Sequence, residues 1–279
     1  MKKLLSLLIL SLALTGCTVP SEVSEDFSFS PDDPKLVLVG SVEPVESSES
    51  SVPILELKPS ASVPSIEIEP STAGEQSFSI PPYSGEPSAP INNNVPYFTD
   101  TDFSEALVSY EYYSDLDDNG RCGVCVASVG EDIMPTDKRG EIGQVKPTGW
   151  KQNKYPGIVN KENPEEPAYL YNRCHLIAFC LTGENANEKN LITGTRSFNV
   201  DGMLPYELKV SEYVHRTKNH VLYRVTPVFS NENMLADGVL IEAASVEDGG
   251  SGLAFCVFVY NVQPGILINY ADGSNELRN

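Results

Sequence analysis

The segment Tyr171-Asn172-Arg173-Cys174-His175-Leu176 carries the side chains best suited to chemistry. Successive side chains of an extended strand point to opposite faces, so Arg173 and His175 should share one face, with Asn172 and Cys174 on the other. A guanidinium binds phosphate oxygens bidentately, and a neutral imidazole can accept a proton from water. This pair suits phosphate-ester hydrolysis; the alternative is a salt-bridged arginine beside a hydrogen-bonded structural histidine.

A second group of polar residues follows this segment. Asn190 and Asn199 are two amides nine positions apart, and Glu207 comes next, at the start of a predicted helix. Amide and carboxylate oxygens are ligands of Mg²⁺, which keeps most of its waters and needs only one or two protein oxygens. These residues therefore predict a site for a hard divalent cation, with a solvated helix residue as the alternative for Glu207.

Together, these segments resemble the DNA/RNA non-specific endonucleases, ββα-metal enzymes whose signature is Asp-Arg-Gly-His followed by an Asn-bearing helix. The resemblance extends from about residue 107 to 269 and is closest to the secreted bacterial branch, including the stretch from Gly183 to Gly194. It implies hydrolysis of DNA and RNA to 5′-phosphate ends, without sequence preference, with Mg²⁺ or Mn²⁺ as cofactor. It also implies roles for five residues: His175 as general base, Asn199 as metal ligand, Asn190 beside the site, Arg173 on a phosphate oxygen, and Glu207 on the metal-bound waters.

Three positions depart from the family pattern. Asn172 stands in place of Asp and Cys174 in place of Gly, and both should point away from the phosphate because of strand alternation. Gly194 stands where a glutamine is common, which implies fewer contacts around the metal ligands and a lower metal affinity.

The elements that would position these residues follow from apolar runs and turn residues. Residues 106–113 and 122–129 predict a hairpin around the turn Asp117-Asp118-Asn119-Gly120. Residues 135–150 and 183–190 read as loops, 169–179 as a strand, and 196–216 as helical in its second half, with Pro205 in the first turn. Three strands follow at 221–229, 239–246 and 253–262. The predicted class is α+β, with a mixed or antiparallel sheet carrying a strand-loop-helix catalytic unit.

The first residues are typical of an export signal. Lys2 and Lys3 precede an apolar run that ends in Leu14-Thr15-Gly16-Cys17, which resembles the bacterial lipobox. The resemblance implies that residues 1–17 form a lipoprotein signal and that a lipid on Cys17 anchors the protein to the outer face of the cell membrane. An ordinary secretory peptide is the alternative.

The stretch 18–96 is rich in Ser, Pro and Glu. Prolines at short intervals prevent long helices and central strands, so this stretch predicts a disordered, extended tether. A small β domain around Ile54 and Ile66 is the alternative. The endonuclease domain is therefore expected at 97–279.

The net charge is −20, which argues against binding of nucleic acid through bulk basicity. Substrate would instead be guided by a local positive patch, and a scattered solubilising set is the alternative for the same residues: Lys138, Arg139, Lys146, Lys151 and Lys154. Arg196 and Arg224 are candidates for a second phosphate contact, although surface salt bridges are favoured for both.

Two other function classes stay open at this point. A cysteine hydrolase would use Cys174 as nucleophile with His215 or His220 as base, since Cys174 and its strand neighbour His175 face opposite ways. A non-catalytic lipoprotein would bind DNA or a wall polymer. Redox catalysis by Cys122 and Cys125 is disfavoured because the pair lies in a strand-like run rather than at a helix start.

Overall fold

The computed structural model describes residues 78–278. The expected signal peptide at 1–17 and residues 18–77 of the expected tether lie outside this part of the chain. None of the helices in residues 78–278 has the length and apolar character needed to cross a bilayer.

The described residues form an α+β fold, as the sequence predicts. The strands are β1 (Ser88–Pro90), β2 (Tyr110–Tyr113), β3 (Cys125–Val129), β4 (Tyr171–His175), β5 (Leu191–Thr195), β6 (Val221–Val228), β7 (Gly238–Ser245), β8 (Ala254–Tyr260), β9 (Ile266–Ile268) and β10 (Asn275–Leu277). The α-helices are α1 (Asp100–Glu105), α2 (Phe179–Thr182) and α3 (Leu204–Thr217), and a π-helical segment, Phe198–Met203, leads directly into α3.

The main sheet has six antiparallel strands in the order β1-β8-β7-β6-β3-β2. The predicted hairpin corresponds to β2 and β3, and the three predicted C-terminal strands correspond to β6, β7 and β8. These three are rich in Val, Ile, Phe and Tyr, and β7 is buried along its whole length because both faces of the sheet are covered.

One face of this sheet carries α3 and the β4–β5 unit. Val210 and Val214 of α3, with Cys174 of β4 and Ile192 of β5, share a buried cluster with the inward side chains of the sheet. Burial of these apolar side chains fixes α3 and the β4–β5 unit on the same face of the sheet.

The opposite face is covered by residues that composition placed in the tether. Phe78 and Ile80 pack against a cluster containing Ile91, Leu240 and Phe258, and β1 pairs with the edge of β8. The boundary expected after residue 96 is therefore wrong for residues 78–96. The prolines of this stretch do not exclude a strand here, because β1 lies at the edge of the sheet, where a proline that lacks an N–H group is tolerated.

β4 and β5 form a separate two-stranded antiparallel unit. His175 pairs with Leu191 at one end, and Tyr171 pairs with Thr195 at the other. The sequence reading missed β5 because all five of its residues are buried, so the strand shows no alternation of apolar and polar side chains.

Candidate active site

Strand alternation places the candidate residues of β4 as expected. Arg173 and His175 both contact the loop of residues 139–150, through Gly143 and Arg139 respectively. Cys174 faces the core and is fully buried, with no room for a side chain on Gly194 beside its thiol. The substitution of Gly by Cys in the signature therefore affects packing behind the strand.

The hydrogen bonds of His175 determine which ring nitrogen is basic. Nδ1 lies 3.3 Å from a guanidinium nitrogen of Arg139, and Nε2 lies 2.8 Å from the backbone oxygen of Asn185. A guanidinium can only donate, and a carbonyl oxygen can only accept. Nε2 therefore carries the hydrogen, and the lone pair of Nδ1 faces Arg139.

The surroundings of His175 favour its neutral form. Burial, together with the Arg139 charge, lowers the pKa of His175 from 6.5 to about 4, against the opposing effect of the Asn185 carbonyl. The imidazole is therefore uncharged at neutral pH and able to accept a proton.

Glu207 lies in the first turn of α3, and the charge of Arg139 acts on its carboxyl group. Its carboxyl group is buried and forms no hydrogen bond with another residue of 78–278. Burial raises the pKa of Glu207 from 4.5 to about 8, although the charge of Arg139 acts in the opposite direction. Arg139 is thus a common neighbour of the imidazole and the carboxyl group.

Asn185 connects the histidine to the loop that carries Arg139. Its backbone oxygen fixes the imidazole, and its side-chain nitrogen lies against Gly140, where an added Cβ would approach to 2.8 Å. The loop can approach Asn185 this closely because residue 140 has no side chain. Asn185 therefore orients the imidazole of His175 and limits where Arg139 can lie.

Comparison with known families agrees with this arrangement. A sequence model of DNA/RNA non-specific endonucleases matches residues 103–247, more than half of the chain. The chain belongs to this endonuclease family. It is a nuclease that acts on phosphodiester bonds, and its substrates are nucleic acids.

Solved nuclease structures have the same fold. NucA from Streptococcus agalactiae with magnesium bound superposes with a TM-score of 0.60 at 24% identity, covering 74% of this chain and 91% of NucA. The metal-free form gives 0.57 at 25% identity, covering 72% and 90%. The Sda1 nuclease with bound zinc gives 0.50 at 30% identity, covering 62% and 81%. No curated protein matches the sequence.

Arg173 of this nuclease holds a loop in place. Its Nε donates to the Val145 oxygen at 2.5 Å, one terminal nitrogen donates to the Gly143 oxygen at 3.0 Å, and its guanidinium lies 4.2 Å from the centre of the Trp150 ring. These contacts fasten residues 143–150 to β4, beside the histidine.

Asn190 is fully buried next to the end of β4. Its side-chain oxygen accepts from the Ile177 nitrogen at 2.8 Å, and its side-chain nitrogen donates to the Ile177 oxygen at 2.9 Å. The amide thus lies beside the site and fixes the chain just after His175, with its hydrogen-bonding capacity directed to the backbone.

Asn199 is the second residue of the π-helical segment, where the Leu204 nitrogen donates to its backbone oxygen. Such segments are frequent at functional sites. Its side chain is partly exposed and makes no hydrogen bond with any residue in 78–278, so it is not hydrogen-bonded to His175 or Arg139. Its amide oxygen is therefore available to a ligand.

The available donors fit a hard cation that retains its water. Residues 78–278 contain no group of three or more His, Cys, Asp or Glu side chains able to hold a metal ion. The amide of Asn199 and the carboxyl group of Glu207 supply oxygen atoms, which are the ligand type that a hard divalent cation prefers.

The residues of the expected positive patch have different partners in the structure. Arg139 lies at the histidine, whereas Lys151 pairs with Asp272 at 2.6 Å and Lys154 lies over the Tyr169 ring. The sequence reading included Arg139 only as a patch member and did not identify Asn185. Arg139 is followed by a glycine, but no pattern in the sequence shows that this loop reaches β4.

Arg196 and Arg224 form the salt bridges that the sequence favoured over phosphate contacts. Arg196 pairs with Glu166, and Arg224 binds both oxygens of Glu242 at 2.6 and 2.9 Å.

The described cysteines lack the properties of a nucleophile. Cys174 is fully buried, so it cannot reach a substrate. Burial raises the pKa of Cys180, which lies near Glu207, to about 12. Cys122 donates to backbone oxygens of Glu188 and Leu191, and burial raises its pKa to about 12 as well.

Proposed function

We propose that the protein is an Mg²⁺-dependent endonuclease that cleaves both DNA and RNA, without sequence preference, and leaves 5′-phosphate ends. The observation that carries this proposal is the neutral, buried His175 whose basic Nδ1 faces Arg139, in a chain of the non-specific endonuclease family. The magnesium bound to NucA supports the choice of metal, and Mn²⁺ is the expected substitute.

His175 acts as the general base. Its Nδ1 accepts a proton from the attacking water, and the Asn185 oxygen, bound to the Nε2 hydrogen, stabilises the imidazolium that forms. Arg139 lies 3.3 Å from Nδ1 and is thus within reach of the phosphate that this water attacks. When Arg139 pairs with the phosphate, its charge is neutralised, so the pKa of His175 rises and the base becomes stronger.

Asn199 would hold the cation through its amide oxygen, and Glu207 would bind the water around it. When bound, Mg²⁺ supplies positive charge that stabilises the leaving 3′ oxygen. Arg173 contributes by keeping residues 143–150 against β4, and its guanidinium group is the candidate contact for a phosphate oxygen.

A nicking assay on plasmid DNA, single-stranded DNA and RNA tests the proposal. All three should be cut with Mg²⁺ and remain intact with a chelator, and the products should carry 5′-phosphate. His175→Ala should lower kcat by roughly 10²–10⁴-fold, the usual contribution of a general base. His215→Ala is the matched control because His215 is exposed on α3. Wild-type activity in His175→Ala would overturn the mechanism.

The two other function classes predict different outcomes. Alkylation with iodoacetamide at pH 7.5 should leave the nuclease active because the described thiols are buried or have raised pKa values. Inactivation by alkylation would favour a cysteine enzyme. Binding of DNA without cleavage under every metal would favour a non-catalytic lipoprotein.

The proposed location is the outer face of the cell membrane, with a lipid on Cys17 and residues 18–77 as the tether. The support is the lipobox-like sequence before Cys17 and the Ser/Pro/Glu-rich composition that follows. Expression of Cys17→Ser should shift the protein from the membrane fraction to the medium. An unchanged membrane fraction would contradict lipid anchoring.

A further inference from the structure

A cavity of about 670 Å³ lies between α3 and the edge of the main sheet that β1 and β8 form. Small-molecule sites have volumes of about 300–1,000 Å³, so this cavity can hold a nucleobase. It is separate from the candidate active site, because neither His175 nor Glu207 lines it. The residues that line it include Ser88, Asn94, Tyr206, Lys209, Gly252 and Phe255.

Tyr206 supplies an aromatic surface inside this cavity. Its hydroxyl group is hydrogen-bonded to the Ser88 hydroxyl at 2.8 Å, and its ring centre lies 5.1 Å from that of Phe255. The ring is therefore held from two sides, and it remains only half-buried. A fixed aromatic ring is a surface on which any nucleobase can stack, because every base has a π-face.

Lys209 gives the cavity a positive charge. Its Nζ lies 4.7 Å from the centre of the Tyr206 ring, and among the described residues that line the cavity it is the one with a charged side chain. Lys209 is exposed and forms no salt bridge within residues 78–278. Its ammonium group is therefore able to pair with a phosphate next to a base on Tyr206.

Arg216 extends this charge along α3. The cavity continues past Gly252 to Tyr213, since a Cβ on Gly252 would lie 2.7 Å from Cε2 of that ring, and the Arg216 guanidinium lies 5.7 Å from its centre. Arg216 is exposed and has no salt bridge in the described part of the chain. Seven residues separate it from Lys209, which is about 10 Å along the same side of the helix. Two cations at this spacing can contact two phosphates of one strand.

We propose that the cavity, Lys209 and Arg216 form an accessory site for a single-stranded stretch of the nucleic acid substrate. The inference rests on the proposed nuclease activity. A base stacks on Tyr206 inside the cavity, and the neighbouring phosphates contact the two cations. Tyr206 directly precedes Glu207, so a bound strand has to cross only the width of α3, about 10–12 Å, to reach the candidate active site. The site selects single strands because a paired base cannot enter the cavity.

Lys209→Ala and Arg216→Ala test the contacts with phosphate. Each should raise KM for a long single-stranded oligonucleotide without lowering kcat. Each should also reduce the slope of the logarithm of the binding constant against the logarithm of the salt concentration by about 0.7, the value for one phosphate contact to a single strand. Binding is measured with Ca²⁺ in place of Mg²⁺. Lys161→Ala is the control because Lys161 is exposed and does not line the cavity. Unchanged KM and slope in both variants, or an equal change in the control, would overturn the proposal.

Tyr206→Leu tests the stacking surface. Leucine keeps an apolar contact with Phe255 and removes the ring. KM for the single strand should rise at least about fivefold, the smallest effect expected from one lost stacked base, and KM for the matching duplex should rise by less than twofold. A melting curve checks that the variant is folded at the assay temperature. An equal rise for both substrates contradicts the entry of an unpaired base.

Glu212 provides a test in the opposite direction. It is exposed and lies three residues after Lys209 and four before Arg216, so it is a neighbour of both on the surface of α3. Its negative charge opposes the approach of phosphate. Glu212→Gln should therefore lower KM for the single strand, and a KM equal to or above that of wild type would count against the proposal.

Hydrolysis of a dinucleotide separates this inference from the proposed function, because a dinucleotide is too short to reach from His175 to the cavity. If wild type cleaves neither the dinucleotide nor the oligonucleotide, the proposed function fails and this inference fails with it. If wild type cleaves both, and Lys209→Ala and Arg216→Ala lose as much activity on the dinucleotide as on the oligonucleotide, only the inference is refuted. Binding of an anionic wall polymer at this site, without binding of the oligonucleotide, would refute it as well.

Discussion

Burial acts in opposite directions on the two titratable groups beside Arg139. It lowers the pKa of His175 and raises that of Glu207, so both side chains are neutral near pH 7 in the metal-free protein. Arg139 alone keeps its charge, because a guanidinium does not lose its proton in proteins. The charge of Arg139 therefore favours an anion at this site, and the carboxyl group of Glu207 can lose its proton when a cation binds.

Glu207→Gln should reveal this burial through the pH dependence of stability. The folded pKa of Glu207, about 8, lies above the unfolded value of 4.5, so wild-type stability falls as pH rises through this interval. The slope from this group is at most about 1.4 kcal/mol per pH unit. In metal-free protein, the melting temperature of wild type should therefore fall relative to that of Glu207→Gln as the pH rises from 4.5 to 8. Parallel curves of melting temperature against pH for the two proteins would show that Glu207 is not buried as a neutral acid.

Arg139→Ala should change both the rate and its pH dependence. Loss of the phosphate partner should lower kcat/KM by about 10²-fold, within the range of other removed electrostatic contacts. Because the Arg139 charge lowers the pKa of His175, its removal should raise that pKa and move the acid limb of kcat/KM upward in pH. A pH profile from 3.5 to 8 measures this, and a limb that moves downward would contradict the assignment. Lys151→Ala, whose lysine is paired with Asp272, is the control.

Among the elements, β5 connects the strand that carries His175 to the π-helical segment. β5 pairs with β4 beside His175 and ends at Thr195, from which the chain turns into Phe198–Met203 and then α3. Gly194 is required in this strand because a Cβ there would lie 2.5 Å from the Cys174 sulfur and 2.8 Å from Cε1 of Phe198. The space that a glutamine side chain would need at this position is filled by Cys174 and Phe198.

Gly194→Ala should therefore destabilise the protein by about 1–3 kcal/mol, as overpacked cores do, and reduce nuclease activity through displacement of the π-helical segment. Gly143→Ala is the control because a Cβ there meets nothing within 4 Å. Chemical denaturation compares the two. Equal stability of both variants would show that Cys174 and Phe198 leave room for a side chain at position 194.

At the scale of the whole molecule, the charge opposes binding of nucleic acid. Residues 78–278 carry 15 basic and 27 acidic side chains, and several of the basic ones are paired with acids. Binding of nucleic acid must therefore depend on a few basic side chains near the site. Lys146 is a candidate because it is exposed and follows Val145, whose oxygen Arg173 holds.

Lys146→Ala should raise KM with little change in kcat. It should also reduce the slope of the logarithm of the binding constant against the logarithm of the salt concentration by about one, because one fewer counterion is released on binding. Lys151→Ala should have the smaller effect because Asp272 already neutralises that charge. Binding to a DNA oligonucleotide across a series of salt concentrations, with Ca²⁺ in place of Mg²⁺, measures both. Identical slopes for Lys146→Ala and wild type would exclude Lys146 from the interface.

Five features could be predicted from the order of residues along the chain: the family, the fold class, the β2–β3 hairpin, the three C-terminal strands and the opposite orientations of His175 and Cys174. Each of these depends on local spacing, such as alternation along a strand or turn residues between apolar runs. Three features appear only in the folded chain: residues 78–96 cover the sheet, β5 pairs with β4, and Arg139 contacts His175. These contacts join residues far apart in the chain, and packing selects them, so no local pattern encodes them.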